Sequence, residues 1–148
     1  MRVLVLIKAN EDSENGVMPS EKLINDMTAF NEQLVAAGVM LSGEGLHPSS
    51  KAKRVFYKGD GSVTVVDGPF SETKELIAGY WIWKVDSIEE AVEWARKIPG
   101  GDELKPNDEG IVELRPIFDW QDFAATYLTP EQAAREAELA KKLESQQS

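Results

Sequence analysis

The feature that most restricts the fold of this 148-residue chain is the run DGPFSETKE at residues 67–75. The β-branched residues 63–66 precede the run, and the aromatic stretch GYWIW at residues 79–83 follows it. Gly68 permits positive φ, whereas Pro69 fixes φ and cannot donate to a strand ladder, so the first strand must end there. The run therefore predicts a turn that sets the direction of the aromatic strand.

Asp67 begins this run at a strand end, beside a short helical or irregular segment that is expected from Ser71 to about Ala78, with Ser71 capping its first amides. One interpretation is structural, because acidic residues are common in turns. The other makes Asp67 an acid, a base or a hydrogen-bond anchor in a pocket, where carboxyl pKa values are often tuned. The pattern leaves both interpretations open.

Charge and composition restrict the partners. The formal net charge of -10 argues against a nucleic-acid partner, because phosphate binding needs a basic face. The first apolar run, residues 3–7, is too short for a signal peptide or a membrane helix. With no cysteine and one histidine, we expect no disulfide, no bound metal and a cytoplasmic location. The most basic stretch of the chain is typical of an exposed strand edge. It contains Lys51, Lys53, Arg54 and Lys58.

Hydrophobic periodicity predicts alternating strands and helices. The expected strands span residues 3–7, 39–42, 55–57, 63–66, 79–85 and 111–115. The expected helices span residues 21–37, 88–98 and about 129–143, and they begin after Ser20, at a Ser87–Glu90 capping box and after Thr129. Residues 43–48 are expected to form a loop, and residues 58–62 the turn of a β-hairpin.

This order of elements predicts an α+β fold. It is that of a ferredoxin-like subunit with a mainly antiparallel sheet and two helices on one face, which we place at residues 1–117. Residues 118–148 form a C-terminal extension that contains the last helix. The strands at residues 3–7 and 80–85 are apolar on both faces, yet two helices cover only one. We therefore expect a homodimer in which two sheets face each other around a cavity.

Several motifs together resemble the DGPF branch of the YCII-related proteins. They are the run at residues 67–75, GYW at 79–81, AGV at 37–39, GEGL at 43–46, IP at 98–99 and VELRP at 112–116. The resemblance covers about residues 1–117 and implies a ferredoxin-like subunit that pairs as a dimeric α+β barrel. The barrel superfamily includes small cofactor-free enzymes, whereas the DGPF branch largely lacks an assigned reaction.

The resemblance does not extend to the catalytic pair proposed for the founding YCII proteins. The founding YCII proteins are proposed to use a His on the first helix and an Asp near the end of the second. Here the first helix, residues 21–37, has no histidine, and Ile98-Pro99-Gly100 occupies the expected position of the Asp. Any enzymatic activity must use other groups.

Four other residues are candidates for a site. His47 follows a strand and suits an acid or a base, or it is an exposed bystander. Glu113 and Arg115 point into the dimer cavity if their apolar neighbours on the strand meet the helices. Arg115 then binds an anionic small molecule, or the two side chains form an ion pair. Trp81 either lines the same cavity or belongs to the core.

Two functions compete at this point. The first is a cofactor-free small-molecule enzyme or binding protein, with Asp67 and His47 as catalytic candidates and Glu113, Arg115 and Trp81 as ligand contacts. The second is a non-catalytic interaction or regulatory module. The resemblance suggests it, because some DGPF proteins are associated with extracytoplasmic-function sigma factors. The helix at about residues 129–143 would then be the partner arm.

Overall fold

A computed structural model describes residues 1–124 and 126–147, and these form an α+β fold with a mainly antiparallel sheet, as predicted. The strands are β1 (Arg2–Lys8), β2 (Met40–Gly45), β3 (Lys53–Tyr57), β4 (Val63–Asp67), β5 (Ile77–Lys84) and β6 (Val112–Pro116). The helices are α1 (Glu11–Glu14), α2 (Glu21–Ala36), α3 (Ile88–Ala95), α4 (Trp120–Ala124) and α5 (Pro130–Gln146). The chain divides into two compact units, Met1–Pro116 and Ile117–Ser148.

Four of the strands form one sheet with the order β2-β5-β1-β6, and each neighbouring pair is antiparallel. The chain passes through α2 between β1 and β2, and through α3 between β5 and β6. β3 and β4 form a separate two-stranded sheet, a hairpin inserted between β2 and β5. This arrangement leaves the hairpin outside the hydrogen-bond ladder of the larger sheet.

The core lies between the four-stranded sheet and the helices α2 and α3. Val3, Val5 and Trp83 contribute fully buried side chains from the sheet, and Leu34 does so from α2. Ala91 of α3 belongs to the same buried cluster. Because Val3 and Val5 alternate with partly exposed neighbours on β1, the helices cover one face of the sheet.

The predicted starts of the two core helices are confirmed at their first residues. Ser20 Oγ accepts a hydrogen bond from the Leu23 amide at 3.0 Å, and Ser87 Oγ accepts one from the Glu90 amide at 3.1 Å. The capping box at Ser87 is only half formed, because the Glu90 carboxylate accepts from the Asp86 amide instead of that of Ser87. Each cap satisfies an amide that the helix itself leaves unpaired.

The predicted C-terminal helix is also present. Thr129 and Gln132 form the reciprocal bonds of a capping box at its start. The helix runs to Gln146, beyond the predicted end, and an ion pair of 2.8 Å between Lys142 and Glu138 links successive turns near that end. Among the described helices, none combines the length and the apolar character needed to cross a membrane.

Two short elements differ from the prediction for the first 50 residues. Residues 43–45 belong to β2 instead of a loop, because a register shift between Met40 and Ser42 lets the strand continue along β5. The polar segment after β1 contains the one-turn helix α1, which Asn10 and Ser13 cap reciprocally. Hydrophobic periodicity reveals neither difference, because α1 depends on a local cap and residues 43–45 depend on pairing with the distant strand β5.

Candidate functional site

The candidate site is the face of the four-stranded sheet opposite α2 and α3, here called the open face. Residues that lie directly opposite each other on neighbouring strands point to the same face, so the register defines rows across it. One row consists of Glu44, Tyr80, Leu6 and Glu113. The next row consists of Ser42, Ile82, Leu4 and Arg115. The open face therefore has an apolar centre and polar margins.

Glu113 and Arg115 occupy the margin formed by β6. The condition on which their direction depends is met, because Val112 and Leu114 both pack against the core cluster. Glu113 and Arg115 therefore point to the open face, where their side chains are 43% and 70% exposed. Arg115 Nε lies 3.9 Å from Glu113 Oε2, a long contact that leaves guanidinium N–H groups for another acceptor.

Trp81 does not share this face, so the prediction that it lines the same cavity is wrong. Its side chain is only 4% exposed and lies among the core residues under α2. Its Nε1 donates a hydrogen bond of 2.9 Å to Asn31 Oδ1. The alternation along β5 puts Trp81 and Trp83 on the helix side and Tyr80 and Ile82 on the open face. The core alternative for Trp81 is therefore the one that the structure supports.

Tyr80 and Glu44 are site candidates that the sequence pattern did not identify. Tyr80 adds a hydroxyl group to the apolar centre, and it lies opposite Glu44 on β2 and Leu6 on β1. Tyr80 alternates with Trp81 along β5, so it becomes a candidate once Trp81 is placed in the core. Glu44 could not have been found in this way, because the register shift between Met40 and Ser42 changes which residues of β2 face outwards.

Asp67 lies at the end of β4 in the hairpin, directly opposite Lys53 of β3. The Lys53 ammonium donates a hydrogen bond to the Asp67 carboxylate, and the side chains of both remain largely exposed. An exposed, paired carboxylate at the hairpin base suits the structural interpretation. The chemical role proposed for Asp67 stays a prediction.

The residues after Asp67 fix the base of the hairpin to the loop before it. The Gly68 amide donates to the Ala52 carbonyl at 2.9 Å, and the Phe70 amide donates to Ser49 Oγ at 3.0 Å. Ser49 is 6% exposed, and its hydroxyl donates to the Glu14 carboxylate. These contacts make the run at residues 67–75 an anchor between the hairpin, the loop and α1.

The short helical or irregular segment predicted from Ser71 to about Ala78 ends sooner than predicted, and Ser71 does not cap it. It contains one 3₁₀ turn, Thr73–Glu75, and the residue before the turn forms no side-chain cap. Ser71 Oγ instead donates to Glu72 Oε1 at 3.0 Å. β5 starts soon afterwards, at Ile77, so the chain enters the aromatic strand almost directly.

His47 follows β2 in the loop that leads to Ser49, and it is exposed. The neighbouring Leu46 amide donates to the Ala78 carbonyl at 2.8 Å, which fixes this loop to the start of β5. His47 therefore lies near one end of the sheet, where it is open to solvent. Its role as an acid or base stays a prediction.

The groups whose pKa values are clearly shifted are not the predicted site residues. Hydrogen bonds to Asp26 and Asp102 raise the pKa of Lys22, whose Nζ lies 2.8 and 2.9 Å from their carboxylate oxygens. The hydrogen bond from Lys22 lowers the pKa of Asp102. In the hairpin turn, bonds from the Ser62 hydroxyl and amide lower the pKa of Asp60. These groups stabilise a loop and a turn.

Two shallow cavities lie in other parts of the described chain. One, of about 120 Å³, is lined by Asn10, Glu11, Asp12, Lys105, Asp108 and Glu109. The other, of about 180 Å³, lies along α5 and is lined by Arg135, Glu138, Leu139 and Lys142. Neither includes a predicted site residue. Within the described ranges, no group of three His, Asp or Glu side chains is arranged to bind a metal ion.

The fold and the open face define a small α+β protein whose sheet is covered by helices on one side. The sequence model of the YCII-related domain matches residues 1–121, and the chain belongs to that family. It is also similar to an uncharacterized protein of Rhizobium meliloti (strain 1021). The two are 30% identical over 97 residues, which cover 66% of this chain and 74% of the relative.

Proposed function

We propose that this YCII-related chain, of the DGPF type, is a cytoplasmic homodimer that binds a small anionic molecule between two open faces. The strand order β2-β5-β1-β6 with two β-α-β crossovers is that of a ferredoxin-like subunit. The observation that carries the proposal is the open face itself. Its apolar centre is only half-buried and lies on the side away from α2 and α3, so a second sheet would bury it and form a dimeric α+β barrel.

The chemistry of the open face favours a ligand with a carboxylate or a phosphate group. Arg115 is 70% exposed and its ion pair with Glu113 is long, so its planar guanidinium can bind such a group with two hydrogen bonds. Tyr80 offers a ring and a hydroxyl group in the neighbouring row. Leu4 and Ile82 supply the apolar surface that small-molecule sites commonly have.

If the protein is an enzyme, it works without a cofactor, and His47 and Asp67 are its acid or base candidates. Asp67 belongs to the hairpin and His47 to the loop after β2, whereas Glu113 and Arg115 belong to β6. The contacts of the open face favour ligand binding over any particular reaction. We therefore propose binding as the primary activity.

The proposal predicts that Arg115 is needed for binding and Ile82 for dimer formation. A screen of mono- and dicarboxylic acids and of small phosphates by thermal shift should find a ligand that raises the Tm of the wild type. Arg115→Ala should abolish that increase, whereas Arg135→Ala, an exposed site on α5, should retain it.

Ile82→Glu should give a folded monomer in sedimentation velocity, because it puts a charge in the apolar centre of the open face.

Two results would contradict this proposal. One is a wild-type chain that remains monomeric at every concentration measured. The other is an increase in Tm of equal size for the wild type and for Arg115→Ala, since the ligand would then bind elsewhere.

A second candidate function rests on the C-terminal unit. Residues from Ile117 onward form a compact unit whose helix α5 exposes apolar side chains, among them Leu139 at 53% and Leu143 at 59%. Such a surface suits a protein partner, and the proposed partner is an extracytoplasmic-function sigma factor. Deletion of residues 129–148 should then abolish sigma-factor binding in a calorimetric titration while the dimer and ligand binding persist. Unchanged binding by the deletion variant would exclude this role for α5.

A further inference from the structure

The hairpin β3–β4 carries an apolar face whose side chains are largely exposed. In the pairing register, Val55 lies opposite Val65 and Tyr57 opposite Val63, so these four side chains share one face. They are between 48% and 82% exposed, and we call them the apolar ladder. The ion pair Lys53–Asp67 lies at the base of the same face. Four adjacent exposed apolar side chains are typical of an interaction surface.

The hairpin has a defined conformation at both ends. At its tip, the Lys58 amide donates to the Ser62 carbonyl at 2.9 Å, and Asp60 accepts two hydrogen bonds from Ser62. At its base, the Gly68 amide donates to the Ala52 carbonyl, and the Arg54 guanidinium lies 3.8 Å from the centre of the Phe70 ring. A two-stranded sheet is only marginally stable by itself, so an anchored hairpin with an uncovered face suits packing against another surface.

The distribution of charge along the chain indicates which surface the hairpin packs against. Residues 51–67, here called the hairpin arm, contain four basic and two acidic side chains, a net charge of +2. The other residues contain twelve basic and twenty-four acidic side chains, a net charge of -12. A basic arm on an acidic body is complementary to the body of a second copy of the same chain. An acidic body would in turn be repelled by an anionic membrane or by nucleic acid.

We propose that, in the homodimer, the hairpin arm of each subunit packs its apolar ladder against the other subunit. This inference rests on the homodimer of the proposed function and adds a second contact to it. In a two-fold symmetric dimer each arm contact occurs twice. The ladder has four side chains, whereas a stable interface buries about 800 Å² on each partner, so the arms supplement the open faces instead of replacing them.

The apolar ladder can be tested without disturbing the strand. Val55→Thr and Val65→Thr together keep β-branched side chains, and therefore strand propensity, but add hydroxyl groups to the ladder. Because each change counts twice in a symmetric dimer, the dimer dissociation constant should rise about tenfold or more in a sedimentation dilution series. The matched control is Val66→Thr on the other hairpin face, which should change the constant by less than about twofold.

The charge of the arm can be tested in the same assay. Lys58→Glu at the arm tip should weaken the dimer, whereas Lys141→Glu on α5 changes the net charge equally and should not. Equal weakening by the two variants would mean that net charge alone acts, and it would remove charge complementarity as support.

Burial of the arm can be measured directly because the chain has no cysteine. A single Tyr57→Cys variant should react with a thiol reagent more slowly at concentrations where the dimer forms. The inference is overturned if the wild type is a dimer while the double threonine variant has an unchanged dissociation constant and Cys reactivity at 57 does not depend on concentration. The homodimer would stand in that case, whereas a monomeric wild type would remove both proposals.

Discussion

Replacing Gly68 by alanine should destabilise the protein by about 3 kcal/mol, because the added Cβ has no room. A Cβ at this position would overlap the backbone carbonyl group of Ser49. The obstacle is main chain and cannot rotate away as a side chain could. The Gly68 amide is also bonded to the Ala52 carbonyl, so a shift of Gly68 would strain the hydrogen bond that closes the base of the hairpin. Urea unfolding followed by circular dichroism measures the loss.

The matched control is Gly59→Ala in the hairpin turn. A Cβ at Gly59 has no heavy atom within 4 Å, and its φ is not in the left-handed region. This change should alter the free energy of unfolding by no more than about 0.5 kcal/mol, and it can stabilise by restricting the unfolded chain. Equal stability of the two variants would show that residues 67–75 do not approach the loop as closely as described.

Replacing Trp83 by alanine should cost about 3–5 kcal/mol, the range for a large aromatic residue removed from a core. Trp83 is fully buried, and its ring lies 5.7 Å from that of Trp81 and 6.3 Å from that of Phe30. The cavity would open between the sheet and α2, where the core residues of both elements meet. Since whole domains are stable by only about 5–15 kcal/mol, this variant should be close to unfolding at room temperature.

The variant Trp83→Phe separates the effect of the lost aromatic volume from the effect of the buried indole N–H group. Trp83 Nε1 is buried and finds no hydrogen-bond acceptor among the described residues. Phenylalanine removes that unpaired N–H group and keeps most of the aromatic volume, so the cost should fall to about 1–2 kcal/mol. Val35→Ala, at a position 63% exposed on α2, is the surface control and should cost about 0.5 kcal/mol. A phenylalanine variant as unstable as the alanine variant would contradict this explanation.

Much of the fold follows from short-range patterns in the sequence. The caps at Ser20 and Thr129 and the strand around Trp83 are local features, and the structure contains each of them. The direction of the Glu113 side chain could also be predicted, because the apolar residues Val112 and Leu114 alternate with it on β6 and pack against the core. Local pattern and tertiary packing agree at these positions.

Other features depend on contacts between distant segments. β5 is apolar on both sides, so alternation alone cannot decide whether Trp81 or Tyr80 meets the helices. Trp81 lies on the helix side, where Asn31 and Phe30 of α2 contact its ring. The anchoring role of Gly68 is equally hidden, because Ser49 approaches it from nineteen positions earlier in the chain.

The shift in register between Met40 and Ser42 decides which residues of β2 lie on the open face. Its presence puts Glu44 on the open face and Gly43 against the Trp81 ring, where a Cβ would overlap the indole. A deletion of one residue there would exchange the two positions without altering either residue. The side chains that this edge puts on the open face therefore depend on chain length as much as on residue identity. In related chains that differ by one residue before β2, the register of this strand should be aligned before the residues of the open face are compared.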